Sequence, residues 1–173
     1  MHRYLWPAIA LLGAALVSGC AGDRELPSQP SFYRSMATAN AEVDANAAAS
    51  MISGYRQNNG LGAVTLDPEL TRLAAEQSRA MAQRDKLDHS VSRDFKDRIG
   101  RSSFDAAIAV ENIGAGYHTL AEAFSGWRDS PAHRANMLKS GVNRMGIAAV
   151  YAPSSKYKVF WTLILAAPDA SRG

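Results

Sequence analysis

Cysteine is almost missing from this chain: Cys20 is the one thiol in 173 residues. An internal disulfide is therefore excluded, and no close Cys/His pairing exists to make a thiolate nucleophile. No sign of charge dominates, with 19 basic against 16 acidic residues and a pI near 9.2. That excess is small and scattered, so nucleic acid is not an expected partner. Long apolar runs are missing too. The uncharged stretch from Tyr4 to Val17 falls short of the roughly 20 residues that a membrane-spanning helix needs. Internal repeats, heptads, a phosphate-cradling glycine loop, GxSxG and HExxH are all absent. What remains is a globular balance, 47% hydrophobic and 20% charged. It suits one domain with an appendage, large enough to fold without disulfide or metal staples.

The appendage is N-terminal. Arg3 precedes the apolar run, and the segment closes on Val17-Ser18-Gly19-Cys20. The pattern is that of a secretory signal, 1–19. Its end resembles a bacterial lipobox, in which small residues let the backbone enter a peptidase cleft. The resemblance implies diacylglycerol on the Cys20 thiol, cleavage before it and acylation of the new amino group. The membrane is then a partner through lipid, since two or three acyl chains anchor stably where one does not. The alternative is an ordinary signal peptide with an incidental cysteine. Ala21 stands where inner-membrane retention signals usually carry Asp. The expected location is therefore the bacterial cell envelope, on the outer membrane facing the periplasm.

Residues 20–39 hold Pro27 and Pro30 with little periodicity, and read as a lipidated flexible tether. The domain is expected over 40–168, with a tail at 169–173. A first helix is predicted over Ala41 to Gln57, with Val43, Ala47, Met51 and Tyr55 on one stripe. Asp67 caps a second, with Pro68 in its first turn and Leu70, Leu73, Ala74, Gln77 and Met81 at helical spacing. A short helix is expected around Phe95 to Ile99. Thr119 and Glu122 form a capping box for a helix reaching Trp127, and Ser130-Pro131 opens another over Ala132 to Leu138. Met145 to Tyr151 and Lys158 to Ala166 read as an antiparallel hairpin. Helices first and strands last, without a βαβ rhythm, argue an α+β fold.

Three residues could carry chemistry. His89 lies in the polar turn Asp88-His89-Ser90. Glu111 follows a short apolar run, which places it part-buried or at a strand exit; burial would raise its pKa and a nearby imidazolium would lower it. His133 is third in its helix, where the positive helix end disfavours imidazolium. A neutral ring there can ligate a metal or accept a proton. Each also has a plain structural reading: a surface histidine, a structural acid, and a ring packed at a helix start. His118 reads as solvated, Phe124, Trp127, Phe160 and Trp161 as core, and Glu122 as a cap.

Three stretches in order then resemble one family: Asp88-His89-Ser90; Val110-Glu111-Asn112-Ile113-Gly114; and Trp127 to Leu138, WRDSPAHRANML. They are similar to the bacterial branch of the CAP superfamily, also called SCP or cysteine-rich secretory, antigen 5 and PR-1 proteins. The likeness covers about residues 40–167, including LDPEL at the second helix and MGIA before the closing strand. It implies a three-layer α-β-α sandwich, with helices around a small antiparallel sheet. It also implies that His89, Glu111 and His133 gather in one cleft, and that a divalent metal such as zinc could be held by His89 and His133. In animal and plant members a second acid lies three residues after the tryptophan. Ser130 stands there in this chain, leaving Ser130, Asp129 or Glu122 as possible replacements. Two functions follow. In the first, an envelope-anchored domain presents the His/Glu cleft to a lipid, a cell-wall fragment or a protein. In the second, a hydrolase uses metal on His89 and His133 with Glu111 as base.

Overall fold

The closing strand organises the molecule. In the computed structural model, which describes residues 29–169, it runs from Val159 to Pro168 and is buried along nine of its ten positions. Its side chains alternate between two layers, as the pleat requires. Val159, Trp161, Leu163 and Leu165 face one apolar cluster. Ile164 and Ala166 face a second, and Phe160 a third. A strand buried on both faces needs helices above and below it.

Those helices are α1 (Ala45–Gln57), α2 (Pro68–Arg84), α3 (Phe95–Gly100), α4 (Leu120–Asp129) and α5 (Pro131–Met137). The strands are β1 (Thr65–Leu66), β2 (Ala106–Ala115), β3 (Arg144–Tyr151) and β4 (Val159–Pro168). They join in the order β1-β3-β4-β2. Residues of α1, α4 and α5 fill one side, where Ala48, Ile52, Leu120, Ala123, Trp127 and Met137 meet the odd positions of β4. Leu70, Leu73 and Ala74 of α2 cover the other. The expected α-β-α sandwich is the observed one, and the fold is α+β. The sheet, however, is mixed. β2 and β3 run antiparallel to β4, but the two-residue β1 runs parallel to β3. The segment between α1 and α2 supplies that extra strand.

Local rules explain most boundaries. Asp67 accepts from the Glu69 and Leu70 amides, and Pro68 opens α2. Asp94 caps α3 through the Lys96 amide. The Thr119–Glu122 box is present. The first helix starts four residues later than predicted, because Asp44 takes the cap and accepts from the Ala47 amide at 2.9 Å. Gly146 on β3 permits the close approach of α2: a Cβ there would lie 2.1 Å from the Leu70 carbonyl carbon.

The expected signal segment 1–19, Cys20 and the tether through residue 28 lie outside the described residues, as do residues 170–173. Within the rest of the expected tether, Ser31–Tyr33 forms a 3-10 turn. Met36 is buried against the core, and its amide donates to the His118 carbonyl at 2.6 Å. Phe32 and Met36 have apolar surface to bury, so the domain begins before residue 40. At the other end the Asp169 amide donates to the Asp105 carbonyl at 2.9 Å, continuing the β2–β4 ladder by one residue.

Candidate functional site

β2 is the edge strand of the sheet, and the site is built around it. The sequence left Glu111 part-buried or at a strand exit; the observed strand continues to Ala115 and holds Glu111 buried inside it. Glu111 stands opposite Ile164 and Asn112 opposite Leu163. Facing residues of an antiparallel pair point to the same side. Glu111 therefore points into the layer of α2 and α3, and Asn112 into the layer of α5. At an edge strand the two layers can meet.

The Glu111 side chain is 1% exposed and its carboxylate is fully engaged. His89 Nδ1 lies 2.8 Å from Oε1. Arg98 Nη2 donates to Oε1 at 2.9 Å and Oε2 at 2.8 Å. Arg98, in α3, is itself only 8% exposed. It also donates to the His89 carbonyl through Nη2 and to the Arg93 carbonyl through Nε, both at 3.2 Å. Its guanidinium carbon lies 5.2 Å from the centre of the Phe95 ring. Gln77, on the buried stripe of α2, donates to the Asp88 carbonyl at 2.8 Å and more weakly to that of His89. The loop carrying His89 is thus held from behind by α2 and α3.

α5 is held from the other layer. Asn136 Nδ2 donates to the Glu111 carbonyl at 3.1 Å and to Asn112 Oδ1 at 2.9 Å. Asn112 Nδ2 donates to the His133 carbonyl at 3.0 Å. These bonds clip the helix that bears His133 to the strand that bears Glu111. An edge carbonyl that would otherwise face solvent gains a side-chain partner.

The two histidines are pushed apart electrostatically. The hydrogen bond to Glu111 raises His89 above an ordinary histidine; burial and the Arg98 charge oppose it, while the charges of Glu111 and Asp88 add to it. His133 is lowered, by burial first and by the charge on His89 second. The sequence expected a neutral His133 from the helix end; the direction holds, but burial and His89 account for it. The structure brings His89 and Glu111 into direct contact, and the bond from Asn112 to the His133 carbonyl ties the His133 helix to the same strand. Among the described residues none of the candidate replacements for the second acid bonds to His89 or Glu111. Asp129 pairs with Arg128 at 2.8 Å, Glu122 accepts from the His118 and Thr119 amides, and the Ser130 side chain makes no capping bond. The second charged partner of Glu111 is a cation, Arg98.

Four residues of this constellation were not identified from sequence. Asn112 and Asn136 lie inside the quoted motifs, and Gln77 interrupts an apolar stripe. Arg98 had one usable signal: it lies three residues after Phe95 and beside Ile99, on the face of α3 that packs inward. As for metal, two imidazoles can serve as donors. Glu111 cannot readily add a third, since both its oxygens are engaged. Among the described residues no group of three or more His, Cys, Asp or Glu side chains is disposed to hold a metal ion.

A profile of the CAP family, the cysteine-rich secretory protein family, matches residues 49–165. The chain belongs to the CAP family. The uncharacterized protein YkwD of Bacillus subtilis (strain 168) is 25% identical over 142 residues, covering 74% of this chain and 55% of that protein. This CAP chain thus spans about half the length of the curated relative it matches. Two solved structures are similar in fold. One is an extracellular protein containing a SCP domain from Bacillus anthracis str. Ames, with TM-score 0.61 and 22% identity, covering 70% of this chain and 39% of that one. The other is an outer surface protein from Borrelia burgdorferi, with TM-score 0.65 and 15% identity, covering 75% of this chain and 98% of that one. The three CAP motifs sit where the side chains converge: the His89 turn, the Glu111 strand and the His133 helix.

Proposed function

We propose that this CAP protein acts as a binding module of the bacterial cell envelope. It is held to a membrane by acyl chains on Cys20 and offers the surface around His89, Glu111 and His133 to a lipid, a cell-wall fragment or a protein. One observation carries the binding reading. The Glu111 carboxylate is buried and accepts from Arg98 and His89 on both oxygens, so it positions His89 and is not free to activate water. The location draws support from the solved relatives described as extracellular and outer-surface proteins. Among the described residues no helix is long and apolar enough to cross a membrane.

The test has two arms. Cys20→Ser should move the protein out of the membrane fraction and abolish acyl labelling; unchanged fractionation would overturn the anchoring. Lipids and cell-wall fragments recovered with the native protein should be depleted in His89→Ala and His133→Ala; equal recovery would overturn the binding site.

A second reading, metal-assisted hydrolysis, is favoured by the Nδ1 contact. A carboxylate on one ring nitrogen orients an imidazole and leaves Nε2 to ligate. His89 and His133 would hold the ion, which would supply Lewis-acid activation of water. His89 must then give up the proton that Glu111 favours. Stoichiometric zinc together with turnover abolished by His133→Ala would establish this reading over the first.

A further inference from the structure

We propose that a second site, the cavity between α2 and α3, binds a phosphate-type oxyanion. The cavity has a volume of about 290 Å³ and is lined by Arg72, Arg93, Arg98 and Arg101, with Glu76 and Ser92 at its wall. His89, Glu111 and His133 do not line it, so it is distinct from the site described above. Its one shared member is Arg98.

The arginines are not equivalent. Arg72 is neutralised by Glu69 at 2.7 Å and by Glu76. Arg93 and Arg101 are exposed, and among the described residues neither forms an ion pair. Arg98 is more telling. Its Nε and Nη2 are occupied, but its buried Nη1 has no hydrogen-bond partner. A buried unpaired donor on a charged group is costly, and native structures rarely leave one unexplained. The Phe95 ring holds the guanidinium plane but offers no oxygen. An oxyanion in the cavity would take Arg93 and Arg101 as counter-charges, and a small shift of the Arg98 guanidinium, whose Nη1 is fully buried beside the cavity wall, would let that nitrogen donate to it. The Ser92 hydroxyl is a further donor. Several guanidinium groups lining one cavity favour a group with three or four oxygens over a single carboxylate. Free phosphate and phosphate monoesters offer three or four such oxygens; a phospholipid headgroup, a diester, shares the phosphoryl chemistry with its two free oxygens.

The inference does not rest on the proposed binding function, and its test reads different residues. The full chain, labelled for NMR, is titrated with inorganic phosphate and separately with glycerophosphoglycerol, the deacylated phosphatidylglycerol headgroup. Phosphate should shift the amides around Arg93, Arg98 and Arg101. Arg93→Gln/Arg101→Gln removes two exposed charges and should weaken binding by about tenfold or more. Arg79→Gln/Lys139→Gln makes the same change in net charge elsewhere and should leave binding unaltered. Preference for the diester would assign the site to a lipid headgroup, and preference for phosphate to a soluble ligand. Absence of saturable shifts with both probes overturns the proposal, as does equal weakening by the two double variants. Arg98 is not used as the test position, because its loss would also release Glu111.

Discussion

Arg56 and Arg98 are both buried cations, and they are satisfied in opposite ways. Arg56 is 1% exposed and, among the described residues, pairs with no acid. It donates to the carbonyls of Gly62, Met137, Lys139 and Val142 at 2.9 to 3.0 Å. Three of these acceptors lie at or beyond the end of α5, where helix carbonyls lack internal partners. Arg98 instead shares a carboxylate with a histidine and keeps one nitrogen unpaired. A guanidinium held by neutral dipoles is a brace indifferent to pH. One that shares an acid with an imidazole is coupled to every change in that imidazole's charge. The first ties α1 to the far end of the helix bearing His133; the second tunes the site itself.

The largest expected effect breaks the brace. Arg56→Met leaves four carbonyls unpaired and should cost about 3–5 kcal/mol in urea denaturation. The titration midpoint of His89 should not move. Arg98→Met should cost less, about 2–4 kcal/mol, because Glu111 keeps His89 as a partner. It should also raise the His89 midpoint, since the Arg98 charge normally lowers it. A His89 midpoint that responds to Arg56 and ignores Arg98 would reverse the comparison.

Glu111→Gln sharpens the same contrast from the acid's side. The midpoint of His89 should fall, because its leading cause is removed, and NMR of the imidazole reads this directly. The smallest effect is the pH dependence of stability. His89 is raised in the folded state, so its contribution is full below the unfolded value near 6.5 and is lost as pH rises through the folded midpoint. His133 is lowered, so stability falls as pH drops from about 6.5 toward its folded midpoint. Urea midpoints at about pH 5 and about pH 8 separate the two. His89→Gln should lose more against the parent at the lower pH. His133→Gln should gain on the parent there. Only the signs are at issue, because the His89 side chain is 50% exposed and solvent screens its partners.

Legibility differed by element. The start of the second helix was read to the residue, because Asp67 and Pro68 act locally, and its stripe through Met81 spans several turns. The hairpin was legible within a residue or two, since β4 carries bulky residues on both faces. β1 was not, because two residues have no period and pair only when β3 arrives. The extension of β2 past Glu111 was hidden for a similar reason. A polar Glu-Asn pair and a glycine look like a strand's end, until α3 supplies a cation and α5 an amide. The motifs named His89, Glu111 and His133 as candidates. They did not name Arg98, whose partner lies thirteen residues away in sequence and becomes a neighbour only across two elements.

By itself, then, the order of residues determined the helix caps, the buried closing strand and the family motifs, all of which follow from contacts a few residues apart or from period. The tertiary structure alone decided which groups share charge: that Glu111 belongs to both His89 and Arg98, that Arg56 is held by carbonyls, and that their surroundings push the two imidazoles opposite ways from the ordinary histidine value. Capping and periodicity act over single turns of chain, whereas electrostatic coupling depends on burial and on distances that exist only once the layers close around the edge strand.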